Sequence, residues 1–582
     1  MLRPALTWMG RRGHKTPFSG KAKKQQLKAR RSRRRNERAA DVESSRAPTT
    51  TKTLHSIDVA APLTAEELAR CVGDASDARA LSTVHLKESA RAVKRRITRG
   101  QECFGQKEAP VVAAAAALVT AASVACAAAA QVSLLLLRLT ARFAVPRAGC
   151  AALRSLVGTG ILPPRSPLAR FFTRPAGWSA AMSRFDLDAS ERAACTRFLQ
   201  SIYTTVPRAR VAPFEHNLEV WRQVWRALER ATTAIVVVAD VRCPLLHLPV
   251  ALTEELVQLQ QSRALRVVIA LTKCDLVPAG TFERWRDCLG GASAESADSA
   301  GANAGAGAGG MLGALAPIVV RFDAPHATFV GDHVKLGPRR KLLKQRRGAV
   351  ARGEWCPSVA PLLEACGIDV GSLGTDSAGA APSSPRDPAV DIDVLPTITL
   401  LGQPSVGKSS VLNALMAAKV ASVSLTAGHT KILQTHIVRR HAHSTPLAVV
   451  CDSPGLVFPR AAAEAPRALL EIAGSLMTAQ VREPYSAIRL LVERFDLDLP
   501  RLYGLPATPT DAYDDAAEYG ASSGRIATTC VLSGSAYTPR ACCEELAAKR
   551  QWRVARSGRA DAHRAGLQII KDAASGVIPW CC

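Results

Sequence analysis

The string Gly402-Gln403-Pro404-Ser405-Val406-Gly407-Lys408-Ser409 constrains this chain more than any other stretch. It fits the spacing GxxxxGK[ST], follows the apolar run Thr397–Leu401 and opens a helical run, Ser410 to Met416. The glycines let the backbone wrap a phosphate, and amides at the helix start point inward. Lys408 then reaches the outer phosphates, and the Ser409 hydroxyl is placed to ligate Mg2+.

Six short apolar runs stand near turns or motifs: Ala234–Ala239, Val267–Leu271, Ile318–Phe322, Ile398–Leu401, Leu433–Val438 and Leu447–Cys451. Most are β-branched and almost continuous, as strands buried on both faces should be. Helical stretches accompany several of them, for example Leu218–Arg230. Strands alternating with helices predict an α/β doubly wound sheet.

Three further motifs sit at strand ends. Asp452-Ser453-Pro454-Gly455 closes the run Leu447–Cys451. A carboxylate there can hold Mg2+ through water, and the Gly455 amide can reach a γ-phosphate. Between this motif and the phosphate loop lies Thr426-Ala427-Gly428-His429-Thr430-Lys431. Thr430 is the candidate switch residue, its hydroxyl on Mg2+ and its amide on the γ-phosphate; the alternative is a simple polar loop. Thr272-Lys273-Cys274-Asp275 follows the run Val267–Leu271. A carboxylate at Asp275 would accept from guanine's ring N–H and amino group, a donor pair that adenine lacks, while Lys273 lies along the base plane. Phe322-Asp323-Ala324 would bring a backbone amide near the guanine carbonyl oxygen.

Charge is concentrated at one end. The chain carries a net charge of +27, and residues 1–38 hold fourteen Lys/Arg against one acid, Glu37. This stretch reads as a disordered basic arm that contacts RNA and directs nuclear or nucleolar import; a solvated tail and a mitochondrial presequence are the alternatives. A second basic stretch runs from Lys335 to Arg347. Residues 109–137 are uncharged and rich in Ala, and read as a low-complexity helical insert rather than a membrane span. Residues 290–314 and 371–389 read as flexible spacers. Sixteen Cys without CxxC pairs, and no early apolar core, predict reduced thiols in a cytosolic or nuclear protein. Cys581-Cys582 lacks the usual four-residue prenylation pattern.

Together these residues resemble the circularly permuted GTPases of ribosome assembly, and most of all the guanine nucleotide-binding protein-like 1 group, related to the nucleostemin and large-subunit GTPases. In an ordinary small GTPase the phosphate loop comes first; here the base motif precedes it. Phe214 to Gln223 looks like that group's helix before the first strand, and Asp240-Val241-Arg242-Cys243-Pro244 is similar to its DxRxP turn. Ser422 to Thr435 and Asp452 to Pro459 follow its switch region, and Glu483-Pro484-Tyr485 sits in its C-terminal domain. Lys15-Thr16-Pro17-Phe18-Ser19 resembles the group's start, which suggests Met9 as the first residue.

The resemblance implies a circularly permuted P-loop GTPase domain with a six-stranded, mostly parallel sheet, a helical C-terminal domain and the basic arm. The expected divisions are 1–55 arm, 56–200 helical and low-complexity region with an insert at 109–160, 201–460 nucleotide domain and 461–582 helical domain. It implies GTP/GDP held by Thr272, Lys273, Asp275, Gly402 to Ser410, Thr430, Asp452 and Gly455. Mg2+ would lie on Ser409, Thr430 and Asp452, and Lys408, Thr430 and Gly455 would act on the phosphates. A ribosomal subunit precursor or its RNA is the implied partner of a monomer, in nucleolus and cytoplasm. Thr272 stands where the group usually has Asn. Ser405 replaces the Asn that helps hold potassium in some relatives, so a potassium requirement is not carried over. Leu456 stands where Ras-like proteins have a water-orienting Gln, which implies slow intrinsic hydrolysis.

Overall fold

The computed structural model describes residues 62–72, 84–85, 90–102, 104, 166–179, 181–290, 312, 315–323, 355–370, 394–421, 432–440, 445–460, 464–506, 509, 537–555 and 557–582. All fall within the unit Ala60–Cys582. The basic arm, the Ala-rich stretch 109–137, most of the spacer 290–314, the spacer 371–389, the basic stretch 335–347 and Thr430 lie outside the described residues.

The sheet has six strands: β1 (Ala234–Asp240), β2 (Arg266–Thr272), β3 (Ile318–Phe322), β4 (Thr397–Leu401), β5 (Gln434–Arg439) and β6 (Pro446–Asp452). Their order is β3-β2-β1-β4-β6-β5. Neighbours run parallel except β5, which is antiparallel to β6. This is the mostly parallel α/β sheet expected from the sequence.

Side chains along β1 alternate between two cores. Ile235, Val237 and Ala239 face one, and Ala234, Val236 and Val238 the other. Because both faces are covered, every residue of β1 is buried, which is why the strand reads as an unbroken apolar run. One core takes Trp221, Val224 and Trp225 from the helix Leu218–Arg230 and continues through Leu469, Ile488, Leu546, Ile569 and Trp580. The other takes Leu362 and Leu363 from the helix Val359–Ala365, with Val411 and Leu412 from Lys408–Leu415. The helix Leu218–Arg230 begins where the polar Asn217 accepts from the Glu219 amide at 3.0 Å.

Both edge strands depart from the expectation of double burial; in β3, Arg321 is exposed. β5 begins at Gln434, and Gln434 and Thr435 are exposed. It pairs with β6 alone, so it is an edge strand, and edge strands need not be apolar on both faces. Every described cysteine is a free thiol. No helix among the described residues is long and apolar enough to cross a membrane.

After β6 the chain runs into helices: Glu464–Ile472, Tyr485–Glu493, Leu499–Tyr503, Pro539–Lys549 and Ala562–Ser575. Gly566 lets two of these segments approach closely, since a Cβ there would stand 2.4 Å from Pro484 Cγ.

Candidate nucleotide site

Asp240, Thr272, Phe322, the loop after Leu401 and Asp452 all stand at the C-terminal ends of parallel strands. The register places Asp240 opposite Thr272, Thr272 opposite Phe322, and Leu400 opposite Asp452. In open α/β sheets ligands bind at this edge, beside the point where strand order reverses. That point lies between β1 and β4, and the phosphate loop follows β4.

The loop's backbone requires its glycines. Gly402 has φ +152°, and a Cβ there would stand 2.5 Å from the Val238 carbonyl oxygen. Gly407 has φ +111° and packs beside Thr272. Ser405 also adopts a left-handed backbone, at φ +61°. Gly455 presses against the loop from outside, where a Cβ would lie 2.8 Å from both N and Cα of Pro404.

Lys408 is buried, and its Nζ donates to the carbonyl oxygens of Gly402 at 2.9 Å and Gln403 at 2.8 Å. Burial pulls its ammonium down to about 8, against the attraction of Asp452. Burial likewise pushes Asp452 up to about 6, opposed by Lys408. Both Asp452 carboxylate oxygens are buried without a hydrogen-bond partner. A buried, unpartnered carboxylate is costly, and hard cations take oxygen ligands of this kind. The donor set of Asp452 with the half-buried Ser409 therefore fits Mg2+. Ser410 is also half-buried at the helix start.

Thr272 joins the base motif to the phosphate loop. Its Oγ1 donates to Val406 O at 2.5 Å and lies 3.1 Å from Ala239 O. Lys273 sits at φ +59°, and its Nζ donates to Asp240 Oδ2 at 2.8 Å. Asp275 is half-buried. Only part of the element after β3 falls within the described residues. The Asp323 amide donates to Ser358 Oγ at 3.0 Å, while Ala324 lies outside the described residues.

Beneath the loop, Gln403 Nε2 donates to Leu246 O at 2.7 Å, so this side chain points into the protein. Arg460 Nη2 donates to the same carbonyl at 2.5 Å, and burial pulls Arg460 down to about 10. Burial also pushes His247 down to about 3, which leaves a neutral ring. Leu456 is fully buried, and its amide donates to Gly402 O at 3.3 Å.

The structure thus brings together Thr272, Lys273, Asp275, Gly402 to Ser410, Asp452 and Gly455. Asp240 and Arg242 belong to the same edge, although their motif alone assigned them no role. Two charged residues at the end of a fully apolar strand were the signal, since a buried charge demands a partner.

A mostly parallel sheet with a phosphate loop after β4, and the Thr272–Asp275 string upstream of that loop, has the motif order of the circularly permuted P-loop GTPases. Residues 397–496 match the family described as 50S ribosome-binding GTPase. The chain is 29% identical to guanine nucleotide-binding protein-like 1 of Mus musculus over 450 residues, covering 70% of this chain and 64% of that protein. The same protein of Homo sapiens is 29% identical over 433 residues, with the same coverage. GTPase LSG1-1 of Arabidopsis thaliana is 26% identical over 411 residues, covering 69% of this chain and 65% of that protein. Among solved structures, GDP-bound YlqF is similar at 16% identity and a TM-score of 0.30, covering 61% of this chain and 95% of that one.

Proposed function

We propose that the chain binds guanine nucleotide with Mg2+, hydrolyses GTP slowly and acts as a nucleotide switch in ribosomal subunit assembly. One observation carries this reading: Lys408, Asp452 and the base motif Thr272–Asp275 line a single sheet edge, with Thr272 bonded directly to the phosphate loop. The loop Gly402 to Ser410 would cradle the phosphates, and Lys408 would exchange its bonds to Gly402 and Gln403 for the outer phosphate oxygens. Ser409 and Asp452, with Thr430, would hold Mg2+, which supplies charge neutralisation when bound. The Gly455 amide would meet the γ-phosphate, and Asp275 would accept from guanine.

Slow turnover follows from Leu456, whose side chain lies in the core and cannot orient water. A scaffold that senses nucleotide with negligible turnover is the second reading, favoured by the same residue. The arm 1–38 and the stretch 335–347 would contact ribosomal RNA. Such a protein would work in the nucleolus and cytoplasm. Residues 461–582, which follow directly from the switch carboxylate, would report nucleotide state to that RNA.

The test is GTP turnover by purified protein, with and without ribosomal subunits, using Lys408→Ala as control. The expected result is turnover well below about 1 s⁻¹ alone, raised by subunits. Faster turnover alone rejects the slow switch, and none under any condition leaves the scaffold. Equal RNA affinity with GDP and a non-hydrolysable GTP analogue rejects the reporting role.

A further inference from the structure

The DxRxP turn has no task in the scheme above, yet it carries the most completely enclosed arginine of the site. Arg242 is fully buried. Its Nε donates to Asp240 Oδ1 at 3.0 Å and Oδ2 at 3.1 Å, and its Nη2 donates to Oδ2 at 2.6 Å. The other side of the fork turns to the last turn of the helix Ala562–Ser575. Nη1 donates to Ala573 O at 2.6 Å, and Nη2 to Ala574 O at 3.2 Å. The guanidinium lies 4.5 Å from the ring centroid of Trp580, whose Nε1 donates to the same Ala573 carbonyl at 3.0 Å. Finally, the Arg242 carbonyl accepts from the Cys582 amide at 2.7 Å.

These contacts form a chain of custody for one cation. Asp240 Oδ2 accepts from both Arg242 and Lys273. Burial would raise the Asp240 carboxyl, but Arg242 and Lys273 hold it well below the usual carboxylate range. One carboxylate faces two cations, and the helix end supplies the remaining negative character. Unsatisfied carbonyls at a helix C-terminus carry partial negative charge and attract cations. A planar fork can span both acceptors at once, which an ammonium cannot. Packing ties the same helix end to the base motif, because a Cβ on Gly576, at φ +81°, would stand 2.5 Å from Leu276 Cδ1.

We infer that Arg242 is a positioning residue for guanine recognition, and that the segment Ala573–Cys582 completes the base site by holding Arg242. Arg242 fixes Asp240, Asp240 fixes the Lys273 ammonium, and the Lys273 stem is thereby held along the plane of a purine. The helix that follows the nucleotide domain in sequence is thus part of the base-reading apparatus. This rests on the reading of Thr272–Asp275 as the guanine motif.

The experiment uses the full chain and three variants: Arg242→Lys, Trp580→Ala and Asp240→Asn. Three quantities are measured for each: dissociation of a fluorescent GDP analogue, calorimetric affinity for Mg2+-tripolyphosphate, and the thermal melt. Tripolyphosphate engages the phosphate loop without a base. The expected result is GDP dissociation about tenfold faster in Asp240→Asn and Trp580→Ala, the size of one charge-assisted hydrogen bond, with tripolyphosphate affinity unchanged when measured well below the melt, which both variants lower by opening a buried ion pair or removing a buried ring. Arg242→Lys should fall between these variants and the parent. Unchanged GDP dissociation in all three overturns the inference. So does a parallel loss of GDP and tripolyphosphate affinity, which marks a merely structural bridge. A parent chain that binds tripolyphosphate but not GDP refutes the guanine reading itself, and the inference with it.

Discussion

Thr272 Oγ1 donates a 2.5 Å hydrogen bond to the carbonyl oxygen of Val406, so the base motif and the phosphate loop are fastened together at their buried side. The two residues are 134 positions apart in sequence. The same Oγ1 lies 3.1 Å from Ala239 O, near the end of β1. One short side chain therefore joins the ends of β1 and β2 to the phosphate loop. Thr272→Val keeps the shape and removes the donor. It should cost about 1–3 kcal/mol of stability, because the Val406 carbonyl is left buried without its partner. GDP affinity should fall as the base motif loosens from the loop. Denaturant midpoints and equilibrium binding check both outcomes, with Thr272→Asn expected to retain most of each.

The backbone of the phosphate loop makes a sharper demand. Gly402 lies at φ +152°, and an added Cβ would meet the Val238 carbonyl at 2.5 Å. Main-chain atoms of a central strand cannot move aside. Gly402→Ala should therefore abolish nucleotide binding and lower stability by about 1–3 kcal/mol. Calorimetry with GDP and a urea titration measure the two effects separately.

Leu456 invites the opposite substitution. Restoring a glutamine at this position would place an amide where the side chain is fully buried. Leu456→Gln should not accelerate GTP turnover. It should destabilise the fold by about 1–3 kcal/mol through an unpartnered buried polar group. A turnover gain of tenfold or more would show that the segment can swing the side chain outward.

A pH-dependent stability arises away from the nucleotide. Glu471 is buried in the helix Glu464–Ile472, with Arg467 Nε 3.1 Å from its Oε1. Burial pushes its carboxyl up to about 7 against the pull of Arg467 and Arg96, and Glu483 adds to the rise. The folded value lies above the unfolded one, so the associated stability is present below about 4.5 and is lost as pH rises through 7. The loss is about 3 kcal/mol from the size of the shift. Glu471→Gln, which is neutral throughout, should flatten the change in denaturant midpoint between pH 5 and pH 8.

Removal of the proposed metal ligand should separate binding from its ion dependence. Asp452 offers two buried, unpartnered oxygens at the end of β6. In Asp452→Asn, one oxygen becomes a donor and the charge disappears. The Mg2+ concentration needed for tight GTP binding should rise at least about tenfold, as expected when a carboxylate ligand to a hard cation is lost. Titrating Mg2+ at fixed nucleotide reads this directly.

Much of this was legible in the sequence because it is local. The phosphate loop, the strand before it and the helix after it occupy consecutive residues, and the backbone conformations they need restrict the residue types. The four inner strands announced themselves as apolar runs because both faces of a parallel sheet are covered, and the edge strand β3 did so apart from its exposed Arg321. β5 was placed one residue early, since an edge strand need not bury both faces and its bounds are weakly marked. The order of the motifs, base before phosphate, could be read from residue numbers alone.

Tertiary structure alone decided how distant residues share charge. Nothing near Arg242 in sequence indicates that its guanidinium meets Ala573 and Trp580, 331 and more positions away. Nor does the string around Gln403 reveal that its side chain turns down to Leu246 rather than toward a phosphate. Local sequence specifies backbone conformation and the period of burial. A buried charge, by contrast, is satisfied by whichever acceptor the completed fold brings within reach, and here that acceptor is the end of a helix from the other end of the chain.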